Sequence, residues 1–138
     1  MSELVISAGP FTFTGRLETA RAPLTCAPFL KLLPFKENLL HVRWSGESTW
    51  VPLGELEVGV PPENATVYPL PGEILLYPGG LSETEVLIPY GRTQFGSKAG
   101  LLAGNHFMTI ITGAEKLPEL GKLTLWKGAQ PITIDLAK

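Results

Sequence analysis

Short β-prone runs separated by glycine and proline are the feature that most constrains the fold of this chain. Its 138 residues include 15 glycines and 13 prolines, which recur over almost the whole length. Glycine supplies the positive φ angles of tight turns, and proline cannot donate a ladder hydrogen bond, so this spacing favours many short strands over long helices. The sequence therefore predicts a mainly β protein that forms a closed or nearly closed β-barrel.

The predicted strands are recognised by alternating apolar and polar residues and by β-branched or aromatic side chains. The clearest is Phe11–Leu17, which alternates as a half-buried strand does. The other predicted strands span residues 39–45, 48–52, 67–68, 74–77, 83–90, 105–112, 123–126 and 132–134. Pro89 places its end of a strand at a sheet edge or a bulge. Residues 91–104 are polar and glycine-containing, which is typical of a binding loop.

Two helical segments are predicted among these strands. The first spans residues 25–33, with Thr25 as its N-cap, Pro28 in its first turn and apolar side chains on one face. Pro34 ends this helix because the residue before a proline is pushed out of the α region. Residues 114–120 form a helical turn. A barrel of about eight strands with one or two short helices is therefore expected, as a single domain over residues 1–138.

Charge and composition exclude several function classes. The 11 basic and 13 acidic residues give a net charge of −2 and form no basic stripe, so no nucleic-acid partner is expected. No apolar stretch approaches the ~20 residues that span a bilayer, and the first residues do not resemble a signal peptide. A single cysteine, Cys26, excludes an intrachain disulfide. The expectation is a soluble, cytoplasmic protein without a membrane partner.

The low charge content predicts self-association. Charged residues make up 17% of the chain, whereas ~25% is usual. Because a small domain has much surface relative to its volume, part of that surface is expected to be covered in a homo-oligomer, a dimer or a larger assembly. The alternative is that neutral glycine- and proline-rich loops account for the low charge.

A polar row on one predicted strand is the best candidate for chemistry. Period-2 geometry places His41, Arg43 and Ser45 on one face of the strand 39–45. An imidazole, a guanidinium and a hydroxyl in one row could hold a polar ligand, and arginine can direct two N–H donors at one carboxylate. The alternative is that Arg43 pairs with Glu83 or Glu85 and holds two strands together.

Other polar residues are candidates for the same groove. His41 and His106 are the only histidines and would act as acid, base or ligand contacts if they converge. The loop 92–98 carries two cations and could close over an anionic ligand. Cys26 lies near the start of the first helix and is expected to be structural rather than nucleophilic. No metal-ligand spacing is present, so neither a metal nor another cofactor is expected.

Six short motifs occur along the chain in a fixed order. They are Thr25-Cys26, Phe29–Phe35, His41–Gly46, Pro71–Gly79, Ser82–Glu85 and Ala103–Phe107. Together they resemble a bacterial and archaeal family of unknown function with a cyclophilin-like fold, over roughly residues 10–135. The resemblance implies an eight-stranded barrel with flanking helices and an oligomer, up to a hexamer. It implies no established reaction.

The resemblance to the cyclophilin peptidyl-prolyl isomerases themselves is more distant. Their Phe-His-Arg strand supplies an arginine that supports rotation about the X–Pro amide, and Leu40–Arg43 is similar with one additional residue. Their Gln-Phe-Phe strand corresponds to His106–Met108, which lacks the glutamine, and their Gln-Gly-Gly segment is not recognisable. These departures argue against isomerase activity, which stays the alternative enzyme hypothesis.

These observations lead to one functional hypothesis and two alternatives. The hypothesis is a barrel that binds a small polar or anionic ligand in a surface groove. The residues expected to line that groove are His41, Arg43, Glu85, Arg92, Asn105 and His106. The alternatives are prolyl isomerisation through Arg43 and a self-assembling interaction module that has no ligand.

Overall fold

The structure is a computed structural model that describes residues 3–138. The strands of this part are β1 (Glu3–Ala8), β2 (Phe11–Leu17), β3 (Phe35–His41), β4 (Gly46–Gly54), β5 (Ala65–Thr66), β6 (Glu73–Tyr77), β7 (Thr84–Thr93), β8 (Gly96–Ser97), β9 (Gly100–Leu101), β10 (Gly104–Thr112) and β11 (Gln130–Leu136). The helices are α1 (Pro23–Leu30) and α2 (Leu117–Lys127), and a single 3₁₀ turn, Ala114–Lys116, precedes α2.

Eight of these strands form a closed antiparallel barrel, which confirms the predicted fold class. The order around the barrel is β2, β1, β11, β3, β4, β7, β6 and β10, and β10 then pairs with β2. The short β5 pairs with the start of β10, and β8 and β9 form a separate hairpin outside the barrel. Closure removes the free edges that an open sheet would expose.

The barrel interior is filled by the inward-facing side chains of alternate strand positions. Across β1, Ile6 pairs with Phe13 on one side and with Ile134 on the other, and all three side chains are buried. Helix α1 adds Phe29, whose ring centroid lies 4.8 Å from that of Phe107 and 5.4 Å from that of Phe35. One continuous apolar core therefore joins the barrel to α1.

Helix α1 begins and ends earlier than predicted. It spans Pro23–Leu30 instead of 25–33, and Ala22 rather than Thr25 is its N-cap. The carboxylate of Glu63 accepts the backbone N–H groups of Leu24 and Thr25 at 3.1 and 2.9 Å. This distant carboxylate satisfies the N-terminal donors of the helix, a role that the local sequence pattern assigns to a side chain at its own N-cap.

Residues 123–126, predicted as a strand, belong to helix α2. The buried positions Leu117, Leu120 and Thr124 follow helical spacing, and a proline lies in the first turn. A Cβ at Gly121 would clash with the ring of Tyr90, so the glycine lets α2 pack directly on β7. Tertiary packing on one face therefore outweighs the local alternation of apolar and polar residues.

Three further strand predictions are wrong or incomplete. The strand 39–45 ends at His41, and residues 42–45 form a turn before β4, which begins at Gly46 rather than at 48. Residues 67–68 are bends, and the strand nearby is β5 at 65–66. Strand β1 was not predicted. The register shift between Pro89 and Thr93 of β7 is the irregularity that Pro89 predicts.

Candidate functional site

The outer face of the barrel at β6 and β7 carries a second, smaller core. Strand β7 is buried on both faces: Val86 and Ile88 point into the barrel, whereas Leu87 points outward. Leu87 pairs with Leu75 on β6 and with Trp50 on β4. The segment that contains the β8–β9 hairpin covers this outer face, and the residues buried there are Leu75, Tyr77, Leu87, Phe95 and Leu102.

Ser45 joins this covering segment to the turn between β3 and β4. Its hydroxyl donates to the carbonyl oxygen of Gly96 at 3.2 Å and accepts the Gly96 N–H at 3.1 Å. The Gln94 N–H donates to the Ser45 carbonyl oxygen at 3.0 Å. Because its hydroxyl both donates to and accepts from Gly96, Ser45 positions the walls of the cavity that it lines.

A cavity of about 170 Å³ lies at the edge of the second core, between the turn 42–45 and the β8–β9 hairpin. We call it the Glu85 pocket. Its lining includes two cations, two carboxylates, two tryptophans and three serines: Arg43, Lys98, Glu83, Glu85, Trp44, Trp50, Ser45, Ser82 and Ser97. Charged groups of both signs and aromatic rings therefore meet in one small space.

Glu85 is the unusual group in this pocket. It lies on the outward face of β7, opposite Pro52 of β4 and Tyr77 of β6, and is only 6% exposed. Within residues 3–138 no hydrogen bond or salt bridge reaches its side chain. Burial, together with the charge of Glu83, raises its pKa to about 8. Its carboxyl is therefore mainly protonated at neutral pH and can donate a hydrogen bond into the pocket.

The charged partners at the mouth of the pocket are not paired with one another. Arg43, Lys98 and Glu83 are exposed. In the part of the chain that the structure describes, the one salt bridge joins Arg16 and Glu18, far from this pocket in the barrel. The alternative that Arg43 pairs with Glu83 or Glu85 to hold two strands together is therefore wrong. One oxygen of Glu83 accepts the Gly54 N–H at 3.0 Å.

His41 does not line the Glu85 pocket, although it is close to Arg43 in sequence. Its Nδ1 lies 2.8 Å from the carbonyl oxygen of Val42, and its Nε2 lies 2.9 Å from the hydroxyl of Tyr90. Because a carbonyl oxygen only accepts, Nδ1 donates to Val42, and Nε2 faces the Tyr90 hydroxyl. The pKa of Tyr90 is raised by burial and by Glu47. His41 therefore supports the turn from β3.

Arg92 and Asn105 also lie outside the pocket. Arg92 is exposed and lines an adjoining depression with Tyr68, which shares Trp44 and Ser45 with the Glu85 pocket. Asn105 is 1% exposed: its amide donates to the Thr25 hydroxyl and the Pro61 carbonyl at 3.0 and 2.9 Å, and its Oδ1 accepts the Glu63 N–H at 3.0 Å. Asn105 therefore ties the segment 61–63 to helix α1.

His106 belongs to a connected polar cluster on β2 and β10, which we call the Glu18 network: Arg16, Glu18, His106 and Thr109. The Nε2 of His106 lies 2.7 Å from the Thr109 hydroxyl, which in turn donates to the Glu18 carboxylate. Arg16 also donates to this carboxylate, at 3.1 Å. Burial raises the pKa of Glu18, but the hydrogen bonds from Thr109 and Arg16 outweigh burial, and the net pKa is lowered.

Of the six predicted ligand contacts, the structure thus brings together Arg43 and Glu85. Arg92 lies in the adjoining depression, and the other three, His41, Asn105 and His106, lie elsewhere. Sequence reasoning missed the contribution of Trp44 and Trp50 to the site and placed Lys98 only in a loop near it. The feature that identifies Trp50 is its outward position opposite Leu87. Recognising that position requires the register between β4 and β7, which the sequence alone does not give.

A family profile described as "Protein of unknown function (DUF3830)" matches residues 4–136 of the chain. The chain belongs to this family. The predicted resemblance to a family of unknown function is thereby confirmed. A search of the curated proteins finds no match for this DUF3830 protein.

Solved structures confirm that this DUF3830 protein has a cyclophilin-like fold. The structure of McbB in complex with tryptophan is similar over 96% of the chain, with a TM-score of 0.69 and 16% identity. The chain spans only 44% of McbB. A hypothetical protein from Archaeoglobus fulgidus has a TM-score of 0.65 and 16% identity, with coverage of 99% of this chain and 95% of the other.

A cyclophilin-type peptidyl-prolyl cis-trans isomerase from Cryptosporidium parvum, solved in the presence of the dipeptide Ala-Pro, is similar over 99% of both chains. Its TM-score is 0.58 and its identity is 15%. At such identities the likeness shows the fold alone. In this DUF3830 protein, the two isomerase-like segments do not meet at one site: Arg43 lines the Glu85 pocket, whereas Phe107 and Met108 are fully buried in the barrel core.

Cys26 is the one cysteine of the chain. The thiol of Cys26 is buried, donates to the Phe107 carbonyl oxygen at 3.4 Å, and has its pKa raised to about 11 by burial and by Glu63. It is therefore not a thiolate nucleophile at neutral pH.

Across residues 3–138, no three or more His, Cys, Asp or Glu side chains are grouped to hold a metal ion. Neither described helix has the length and apolar character to cross a membrane.

Proposed function

We propose that this protein binds a small polar or anionic ligand in the Glu85 pocket. The observation that carries the proposal is a carboxyl group that is 6% exposed, has no partner in the described chain and lines a cavity. A titratable group with a strongly shifted pKa in a cleft is typical of a functional site.

The size and lining of the pocket support a small ligand. Its volume of about 170 Å³ is below the ~300–1,000 Å³ of pockets that hold drug-sized molecules. Trp44 and Trp50 provide apolar contact area, while Arg43 and Lys98 provide donors for a carboxylate or an amide oxygen. Two proteins of similar fold were solved with small ligands of this kind, McbB with tryptophan and the isomerase with the Ala-Pro dipeptide.

A thermal-shift screen against small carboxylates and amides tests the proposal, because a ligand that binds only the folded state raises its melting temperature. We expect Arg43→Ala to weaken binding of a hit by at least about tenfold, the value of one charged hydrogen bond. The matched control is Arg21→Ala, since Arg21 is an exposed arginine outside the pocket. Equal weakening by both substitutions would contradict a specific role for Arg43, and a screen without any hit would contradict ligand binding.

Self-association is proposed as an additional property. Trp126 is 78% exposed and its neighbour Leu125 is 51% exposed, at the end of α2. Apolar side chains of this size on the surface of a weakly charged protein favour contact with another copy. Analytical ultracentrifugation should give a mass of two or more chains, up to six, and a mass of one chain would contradict the proposal.

A further inference from the structure

The charges of the Glu85 pocket are of both signs and lack partners. Arg43 and Lys98 line one cavity with Glu83 and Glu85, yet no salt bridge joins a cation to a carboxylate there. Because these charged groups do not pair with one another, each of them can form an ion pair with a bound molecule. A purely anionic ligand would use the two cations and would leave Glu83 without a counter-charge and Glu85 protonated.

The exposures of these groups differ. Glu85 is 6% exposed, whereas Arg43, Lys98 and Glu83 are exposed. Trp44 and Trp50 also line the space. Indole faces attract cations, and a carboxylate is the strongest hydrogen-bond acceptor for an ammonium group. The pocket therefore offers a carboxyl group and indole rings to a positive charge, and two cationic side chains to a negative one.

We infer that the ligand of the Glu85 pocket is a small zwitterion, whose ammonium group contacts Glu85 and whose carboxylate contacts Arg43 and Lys98. This inference rests on the proposed function and specifies the ligand class. Each charged group of such a molecule would find a counter-charge that the protein holds unpaired. A cavity of about 170 Å³ suits a molecule of about the size of a free amino acid.

Proton release provides a signature of this arrangement. The pKa of Glu85 is about 8 in the free protein, and an ammonium group beside it would lower that pKa and ionise the carboxyl. The other titratable groups around Glu85 are Glu83, Arg43 and Lys98 in the pocket and Tyr77 on β6, whose hydroxyl accepts the Leu81 N–H at 2.9 Å. Below pH 8, zwitterion binding should therefore release about one proton, and affinity should increase with pH up to that value.

Matched probe molecules test the inference with the full chain. The zwitterions are alanine, leucine and phenylalanine. The anions are propanoate, 4-methylpentanoate and 3-phenylpropanoate, which lack the amino group, and the cations are ethylamine, 3-methylbutylamine and 2-phenylethylamine, which lack the carboxylate. We expect at least one zwitterion to bind about tenfold more tightly than either of its singly charged analogues.

Calorimetry in two buffers of different ionisation enthalpy, near pH 6.5, should show release of about one proton per bound zwitterion. Glu85→Gln should abolish this release and weaken zwitterion binding about tenfold, but leave the anion affinity unchanged. The control Glu37→Gln, at an exposed glutamate of β3, should change neither the proton release nor the zwitterion affinity. The comparison of zwitterions with their singly charged analogues uses the wild-type protein, so it tests the inference even if the Glu85 variant does not fold.

The outcomes separate this inference from the proposed function. If an anion or a cation binds as tightly as the matching zwitterion, or if binding releases no proton, the zwitterion inference is overturned while ligand binding in the pocket stands. If no probe of the three classes binds, both the inference and the proposed function are contradicted.

Discussion

The Glu85 pocket and the Glu18 network contain similar residues in opposite states. Each has a carboxyl group, an arginine and hydroxyl groups on the outer side of the barrel. In the Glu18 network, Arg16 and Thr109 donate to the carboxylate and His106 joins through Thr109, so the pKa of Glu18 is lowered. In the Glu85 pocket no such bond reaches the carboxyl among residues 3–138, and its pKa is raised.

This difference indicates what each cluster does. A connected network satisfies its own polar groups and stabilises the junction of β2 and β10, with no group left to bind a ligand. A largely buried carboxyl with a raised pKa costs stability when it ionises, and a bound molecule of opposite charge would offset that cost. Proteins retain such costs at functional sites, so the unconnected cluster is the better candidate for ligand binding.

The largest expected effect comes from removing the ionisable group of the pocket with Glu85→Gln. The folded-state pKa of Glu85 is about 8 and the ordinary value is 4.5, so between these pH values the folded state holds a proton that the unfolded state has lost. Wild-type stability therefore falls with rising pH across this window, by up to about 4 kcal/mol from this group. Denaturant unfolding from pH 4.5 to 8 should show the variant gaining stability relative to wild type. If the difference in unfolding free energy between variant and wild type stayed constant over this pH range, the raised pKa of Glu85 would be contradicted.

Glu18→Gln should have the opposite sign. Because the folded-state pKa of Glu18 is lowered, its contribution is present above the unfolded value of 4.5 and is lost as pH falls through the folded value. At pH 7 we expect a loss of about 2 kcal/mol in unfolding free energy, since two charged hydrogen bonds are weakened. The loss should shrink on acidification. Glu37→Gln serves as the control, and a Glu18 variant as stable as this control would refute the network.

Thr109→Val tests the connection within the Glu18 network. The substitution removes the hydroxyl that joins His106 to Glu18 and should lower the unfolding free energy by about 1 kcal/mol. Thr12→Val, at an exposed threonine of β2, controls for the change in β propensity. Chemical denaturation of both variants measures the difference. Equal stabilities would show that the threonine bridge is not energetically important.

Arg43→Ala should have the smallest effect on stability. Arg43 is exposed, lies in the turn after β3 and forms no salt bridge, so the unfolding free energy should change by less than about 0.5 kcal/mol. The same variant should lose ligand binding, as proposed above. A large loss of stability in denaturant unfolding would instead indicate a structural role and would remove the contrast with the Glu18 network.

The sequence was sufficient to predict the barrel but not the register that assembles the site. Alternation along Phe11–Leu17 and the β-prone run of β10 identify strands without tertiary information. The row from His41 to Ser45 also alternates, yet β3 pairs with β4 only at Leu40 and His41. Beyond that point, Ser45 binds the segment 94–96 rather than a strand partner, and this long-range contact is invisible in the local pattern.

The same limit explains the mixed outcome for the candidate site. Arg43 and Glu85 lie more than forty positions apart in the chain and meet because the turn after β3 folds over the outward face of β7. His106 and Asn105 are adjacent in sequence but point to different surroundings, since neighbouring strand residues face opposite sides. The residue types identified candidate ligand contacts. Only the register of the strands shows which of these candidates lie in the same pocket.

The most direct test of the account is the titration of the Glu85 side-chain carboxyl, followed by carbon NMR in the free protein and assigned with Glu85→Gln. The account predicts a midpoint near 8, with the carboxyl protonated at neutral pH because it is buried and unpaired. A midpoint near the ordinary value of 4.5 would show that the carboxyl is hydrated or paired in solution, and would contradict the central claim about this pocket.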